Sequence, residues 1–176
     1  ALAASGARAD TAQKASAAVR PWYATGFEEL GFKVFPEPVP VDDFSARMLS
    51  GGSSKLSESR GKIVLLNFWA TWCPPCREEI PSIQTLWTAM KGKSFSIMGV
   101  SIGETEATVR DFVAKNKMSY PVFLDSSGEI GTAFGARSIP TTYVIDKTGR
   151  AIAGIVGGAP YDSPKAAALF AELAAR

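Results

Sequence analysis

Ile63-Val64-Leu65-Leu66-Asn67-Phe68-Trp69-Ala70-Thr71-Trp72-Cys73-Pro74-Pro75-Cys76 passes from a continuous apolar run into a closely spaced cysteine pair. Residues 63–70 have the length and the β-branched and aromatic content of a strand, and residues 77–90 suit a helix. The two cysteines therefore fall at a strand-to-helix turn. A thiol at a helix start faces free amide groups and the positive end of the macrodipole, and both favour its thiolate. The pair points to reversible thiol–disulfide chemistry.

Three other readings of an isolated CxxC stay open beside that one. A structural zinc site takes four Cys or His ligands, whereas this chain has 2 cysteines and 0 histidines, half a site per protomer at most. A purely structural disulfide would close a very short ring and remove little entropy from the unfolded chain. Two cysteines serving only as small apolar fillers fit poorly with their tight spacing and the two prolines between them. Redox catalysis is the favoured reading, with no metal and no cofactor beyond the cysteine pair.

Around this motif, 176 residues with 46% hydrophobic and 20% charged side chains describe one globular domain with extensions. A net charge of +2 without a Lys/Arg cluster offers no electrostatic footprint for nucleic acid or an anionic membrane. Lack of histidine removes Ser-His and Cys-His catalysis and leaves thiols, carboxylates and tyrosines to carry protons. No apolar run approaches the roughly 18 residues of a membrane span. The start Ala1-Leu2-Ala3, without an initiator methionine, fits a processed or truncated export precursor and equally a cloning boundary. Oligomeric state is not legible.

Residues 1–20, rich in Ala and Ser, read as a flexible tether. From Pro21 to Pro40, seven apolar anchors precede Pro36, Pro38 and Pro40, which favour an extended, polyproline-like approach. That segment reads as a clasp over a sheet edge or, less favoured, as a docking surface. Residues 1–40 are thus an N-terminal extension, and 41–176 form the main domain. Residues 43–56 resemble a hairpin around Ser50-Gly51-Gly52-Ser53. Strands are expected over 63–70 and 95–101, joined by the 77–90 helix with a kink at Pro81, as a βαβ unit. A helix over 104–116 and a strand over 120–124 form a second βα excursion. A short helix over 129–134, strands over 141–145 and 151–156, and a helix capped by Ser163 complete a mixed sheet flanked by helices.

Ile139-Pro140-Thr141 is alone only a turn before a strand. Together with the strand, the Trp-Cys-x-x-Cys element and the following helix, it resembles the thioredoxin superfamily, whose cis-proline loop faces the redox pair. The stretch from Phe68 to Pro81 is similar to the TlpA/ResA-like thiol–disulfide oxidoreductases, and residues 101–125 resemble that branch's insertion. The resemblance covers 41–176 and implies an α/β thioredoxin-like fold: a mixed central sheet flanked by helices, with an N-terminal hairpin and a central βα-type insertion.

The same resemblance implies a cycle in which Cys73 is the nucleophile, its sulfur at the exposed helix start, and Cys76 the resolving thiol. Pro140 would follow a cis bond and present the Ile139 backbone to an extended substrate, with Trp72 and Pro74 beside it. Glu79 matches a glutamate associated with proton handling; Glu78 is adjacent, and helix phase decides between them. Asn67 stands where thioredoxin has a buried aspartate, and an amide exchanges no proton at neutral pH. Implied partners are cysteine-containing exported proteins, apocytochrome c among them, and a membrane or soluble thiol reductant, in an extracytoplasmic setting. Two rivals remain. Peroxiredoxins share a related scaffold, with a threonine and proline before the cysteine; Thr71 lies close, but Pro-Pro-Cys suits dithiol exchange better. The other rival is a nonenzymatic redox-regulated binding module with residues 21–40 as its interface.

Overall fold

The computed structural model describes residues 19–176; the 1–18 portion of the expected tether lies outside them. Eight strands form one sheet: β1 (Lys33–Pro40), β2 (Ser45–Met48), β3 (Ser53–Lys55), β4 (Ile63–Trp69), β5 (Phe95–Ile102), β6 (Val122–Asp125), β7 (Thr141–Ile145) and β8 (Arg150–Val156). Their order is β1-β8-β7-β4-β5-β6-β2-β3. The β4, β5 and β6 strands run parallel, and every other pairing is antiparallel. The sheet is mixed, with the expected hairpin at one edge.

β4 sits at the centre because both of its faces are buried, which only a near-continuous apolar strand tolerates. Its alternation sends Ile63, Leu65 and Trp69 into one core and Val64, Leu66 and Phe68 into the other. Asn67 shares the first face. The helices α2 (Pro74–Ala89) and α5 (Pro164–Ala175) contribute Ile80, Ile83, Leu86, Leu169 and Phe170 to that first core. The second core is closed by Phe44, Leu56 and the short helix α4 (Glu129–Ala133) with its cap Phe134.

Two local expectations are corrected. Residues 33–40 are the edge strand β1 rather than a polyproline-like arm, with Lys33 opposite Gly154 and Pro40 opposite Arg150. A register shift between Val34 and Val39 lets Phe35–Pro38 bulge past a single residue of β8. Prolines fit there because an edge strand need not donate on its outer side. The preceding helix α1 (Ala24–Glu29) packs Phe27 edge-on against Phe170, with ring centroids 5.7 Å apart. Helix α2 begins three residues before the expected Arg77. Pro74 and Pro75 occupy first-turn positions whose amides have no intrahelical partner, so the prolines forfeit nothing there. The helix continues through Pro81.

Candidate active site around the cysteine pair

Parallel pairing of β4 with β5 brings Trp69 opposite Ser101, so the turn after β4 lies beside the loop after β5. Cys73 is the N-cap of α2 and is disulfide-bonded to Cys76. The Cys76 amide donates to Cys73 Sγ at 3.3 Å, the contact that would stabilise a Cys73 thiolate after reduction. The expectation of an exposed nucleophile is corrected: Cys73 is only 2% accessible and Cys76 0%. Burial follows from the loop before β7, where the Ile139 carbonyl lies 3.6 Å from Cys73 Sγ and the Ile139–Pro140 bond is cis. Trp72, 67% exposed, and Pro74 form the solvent-facing rim. The Gly157 amide donates to the Pro140 carbonyl at 2.8 Å, which ties the loop after β8 to the same rim.

Below the disulfide, helix phase resolves the Glu78–Glu79 ambiguity. Cys76 and Glu79, three residues apart, face the core, whereas Glu78 faces solvent. Asn67 Nδ2 donates to Glu79 Oε1 at 2.8 Å and to Thr142 Oγ1 at 2.9 Å. Burial pushes the Glu79 carboxyl up to about 7, against the opposing pull of the Asn67 bond. Glu79 Oε2 has no protein partner. A proton on Glu79 therefore sits on Oε2, since Oε1 is occupied as an acceptor. The hydroxyls of Tyr120 and Tyr161 are also buried without a protein partner, and burial together with the nearby Glu79 raises both well above the ordinary phenol range.

Glu104 is the participant that sequence reading missed, absorbed there into a helix over 104–116. The helix α3 in fact starts at Glu106, with Thr105 as its N-cap. Glu104, 9% accessible, accepts from the Thr71 amide at 2.9 Å, from the Thr71 hydroxyl, and from Ser101 Oγ at 2.8 Å. It thereby pins the turn that carries Trp72 and Cys73 to β5. The available signal was positional: a carboxylate just past the end of a parallel strand lies beside the end of its neighbour. Trp69 is core at 1% exposure, and Tyr143 packs on the second core and donates to the Phe134 carbonyl at 2.7 Å.

A central parallel β4–β5–β6 unit, a cysteine pair capping a helix and a cis-proline loop against it define a protein of the thioredoxin-like class. The sequence pattern of the AhpC/TSA family matches residues 38–152, more than half of the chain, and the chain belongs to that family. It is 37% identical over 115 residues to "Thiol-disulfide oxidoreductase ResA" of Bacillus thuringiensis subsp. konkukian, covering 65% of this chain and 66% of that protein. It is 40% identical over 110 residues to "Thioredoxin-like protein YneN" of Bacillus subtilis, covering 61% of this chain and 64% of that one. The matches thus span just under two thirds of these relatives' length. Among solved structures, a thioredoxin family thiol:disulfide interchange protein from Chlorobium tepidum superposes with a TM-score of 0.68. The two share 28% identity, over 78% of this chain and 97% of that one.

Proposed function

We propose that this protein is a thiol–disulfide oxidoreductase of the ResA type that reduces disulfides in other exported proteins, apocytochrome c among them. The observation that carries the reading is the Cys73–Cys76 disulfide at the start of α2, with Cys73 Sγ against the Ile139 carbonyl of the cis-proline loop. Its relatives' names support the activity. The extracytoplasmic setting, the exported clients and the membrane or soluble thiol donor are inferences from the family resemblance. No helix among the described residues is long and apolar enough to cross a membrane.

In the forward half-cycle the Cys73 thiolate, stabilised by the Cys76 amide and the helix N-terminus, attacks one sulfur of a substrate disulfide. A Cys73–substrate disulfide forms, and the other substrate sulfur leaves as thiolate. Cys76 then gives its proton to the Glu79 carboxylate one helical turn away and attacks Cys73 Sγ, and the second substrate thiolate departs. Two electrons have passed to the substrate, whose thiolates take up protons from solvent and Glu79. A thiol donor restores the dithiol: it attacks Cys73 Sγ, and Cys76 leaves as thiolate and takes a proton from Glu79 once that carboxylate has been reprotonated from solvent. A second donor thiol attacks the Cys73–donor bond, so that the donor leaves as a disulfide and Cys73 as thiolate. The cysteine pair is the only redox group required. An extended substrate would lie along the Ile139 backbone, with Trp72 and Pro74 at its side.

Stoichiometric insulin reduction by the reduced protein tests the assignment. Cys73→Ser abolishes it, and Cys76→Ser accumulates a mixed disulfide; retained turnover in Cys73→Ser removes the proposal. The reduction potential of the pair distinguishes a reductase from a disulfide donor. The family match gives the peroxidase reading a hearing, but both the amide and the hydroxyl of Thr71 are committed to Glu104 rather than to an incoming oxidant. Hydrogen peroxide consumption with a thiol donor, faster than insulin reduction, would favour that rival. Partner binding without any disulfide reduction would favour the redox-regulated module.

A further inference from the structure

Glu79 lies under a thin point in the protein wall. The loop after β8 passes over it, and a Cβ built on Gly158 would meet within 4 Å only two atoms, Glu79 Oε2 at 3.6 Å and Glu79 Cβ at 3.8 Å. Gly158 is itself exposed, while the carboxylate beneath it is 5% accessible and its Oε2 has no protein partner. The backbone does not explain the glycine: Gly157 holds φ +103°, which favours glycine, whereas Gly158 is not in the left-handed region. Oε2 is itself buried, and what the missing side chain does is leave only the exposed backbone of Gly158 between it and solvent on that side. The loop is held in place there by the Gly157 amide on the Pro140 carbonyl.

We propose that Gly158 is a positioning residue for the redox centre: its bare α-carbon keeps the cover over the buried Glu79 Oε2 thin, a port at which that oxygen exchanges its proton with solvent. The inference rests on Glu79 as the proton carrier for Cys76 and adds where that proton enters and leaves. Elsewhere the carboxylate is enclosed. Asn67 of β4, itself bonded to Thr142 of β7, occupies Oε1, and neither residue titrates. The titratable groups facing Glu79 from other elements are Tyr120, before β6, and Tyr161, before α5, both held far above neutrality by burial. On its own helix the only one facing it is the Cys76 thiol, whose proton it handles.

A methyl group at Gly158 fits at ordinary contact distance, so Gly158→Ala folds, yet it thickens the apolar cover over Oε2 and penalises the carboxylate relative to the acid. The pH–rate midpoint of insulin reduction should then rise by roughly half a unit to one unit, with about a two- to sixfold lower rate near neutrality and an unchanged melting temperature. Gly158→Ser places a hydroxyl that can donate to Oε2, and its midpoint should fall below that of Gly158→Ala. Both effects should vanish in a Glu79→Gln background. An Ala profile that coincides with the wild type, equal Ala and Ser shifts, or a shift that persists without Glu79 would each overturn the port while leaving the proton carrier intact. A pH profile unaltered by Glu79→Gln itself would instead remove the carrier, and the port with it.

Discussion

Asn67 on β4 and Glu79 on α2 share a buried hydrogen bond of 2.8 Å, donated by the amide to a carboxyl whose other oxygen has no protein partner. An amide in this position can orient a carboxyl but cannot take its proton, so in the proposed mechanism the acid–base work beneath the disulfide is assigned to Glu79 and not to Asn67. Replacing Glu79 by Gln keeps the shape and removes the proton site, and the pH dependence of disulfide reduction near pH 7 should flatten. Stability gives an independent reading. The carboxyl is raised from 4.5 to about 7 by folding, so its contribution is fully present below about pH 4.5 and is lost as pH rises through about 7. Between those limits the wild type should lose roughly 3 kcal/mol relative to Glu79→Gln in urea titrations.

Asn67 opposes the effect of burial on Glu79, because its bond favours the charged carboxylate. Asn67→Leu, close in shape and without a donor, should therefore move the pH–rate midpoint upward. Thr142 Oγ1 loses its donor as well, and the chain should be destabilised by about 1–3 kcal/mol. A midpoint that moved downward would show that the amide does not stabilise the carboxylate.

Glu104 holds the cysteine-bearing turn through Thr71 and Ser101. Glu104→Ala strands the Thr71 amide in a half-buried site and should cost about 1–3 kcal/mol in equilibrium unfolding. The looser turn should also slow alkylation of Cys73 in the reduced protein. Glu104→Gln, which keeps an acceptor, should recover part of both losses. Full Cys73 reactivity in the alanine variant would reduce Glu104 to a purely structural group.

Strand β4, the cysteine turn and the loop at Pro140 were legible because each is local: apolar continuity, residue spacing and a proline before a strand. The burial of Cys73 was not, since the Ile139 loop that covers it arrives from 66 residues away along the chain. The choice of Glu79 over Glu78 needed the helix start, which the two prolines moved earlier than periodicity indicated. Glu104 was hidden because its role depends on the lateral pairing of β4 with β5, which one strand's sequence does not encode. The prolines of residues 33–40 suggest a polyproline-like conformation and mask the strand pairing itself, although a clasp over a sheet edge is the favoured reading of that segment.

Trp72 is the large aromatic exposed beside Cys73, and its removal should leave the fold within about 0.5 kcal/mol of the wild type. If an extended protein substrate rests on it, Trp72→Ala should raise KM for insulin several-fold, on the order of 1 kcal/mol of binding. The rate with a small linear disulfide should be unchanged. Equal losses on both substrates would mean that Trp72 acts on the cysteines and not on the client.

Phe27 precedes the residues matched by the family pattern, yet it is fully buried against Phe32 and Phe170 in the core that also holds Cys73, Cys76 and Ile80. The segment before residue 38 should therefore behave as part of the folding unit. Phe27→Ala should cost about 3–5 kcal/mol and lower the unfolding midpoint without changing the rate of insulin reduction by the folded fraction. Trp22→Ala, at a residue 44% exposed on the same segment, should have little effect on stability. If the order is reversed, with Trp22→Ala impairing reduction of protein substrates and Phe27→Ala harmless, residues 21–40 serve partner docking instead of packing. The comparison separates a clasp from an interface because only the clasp depends on the buried ring.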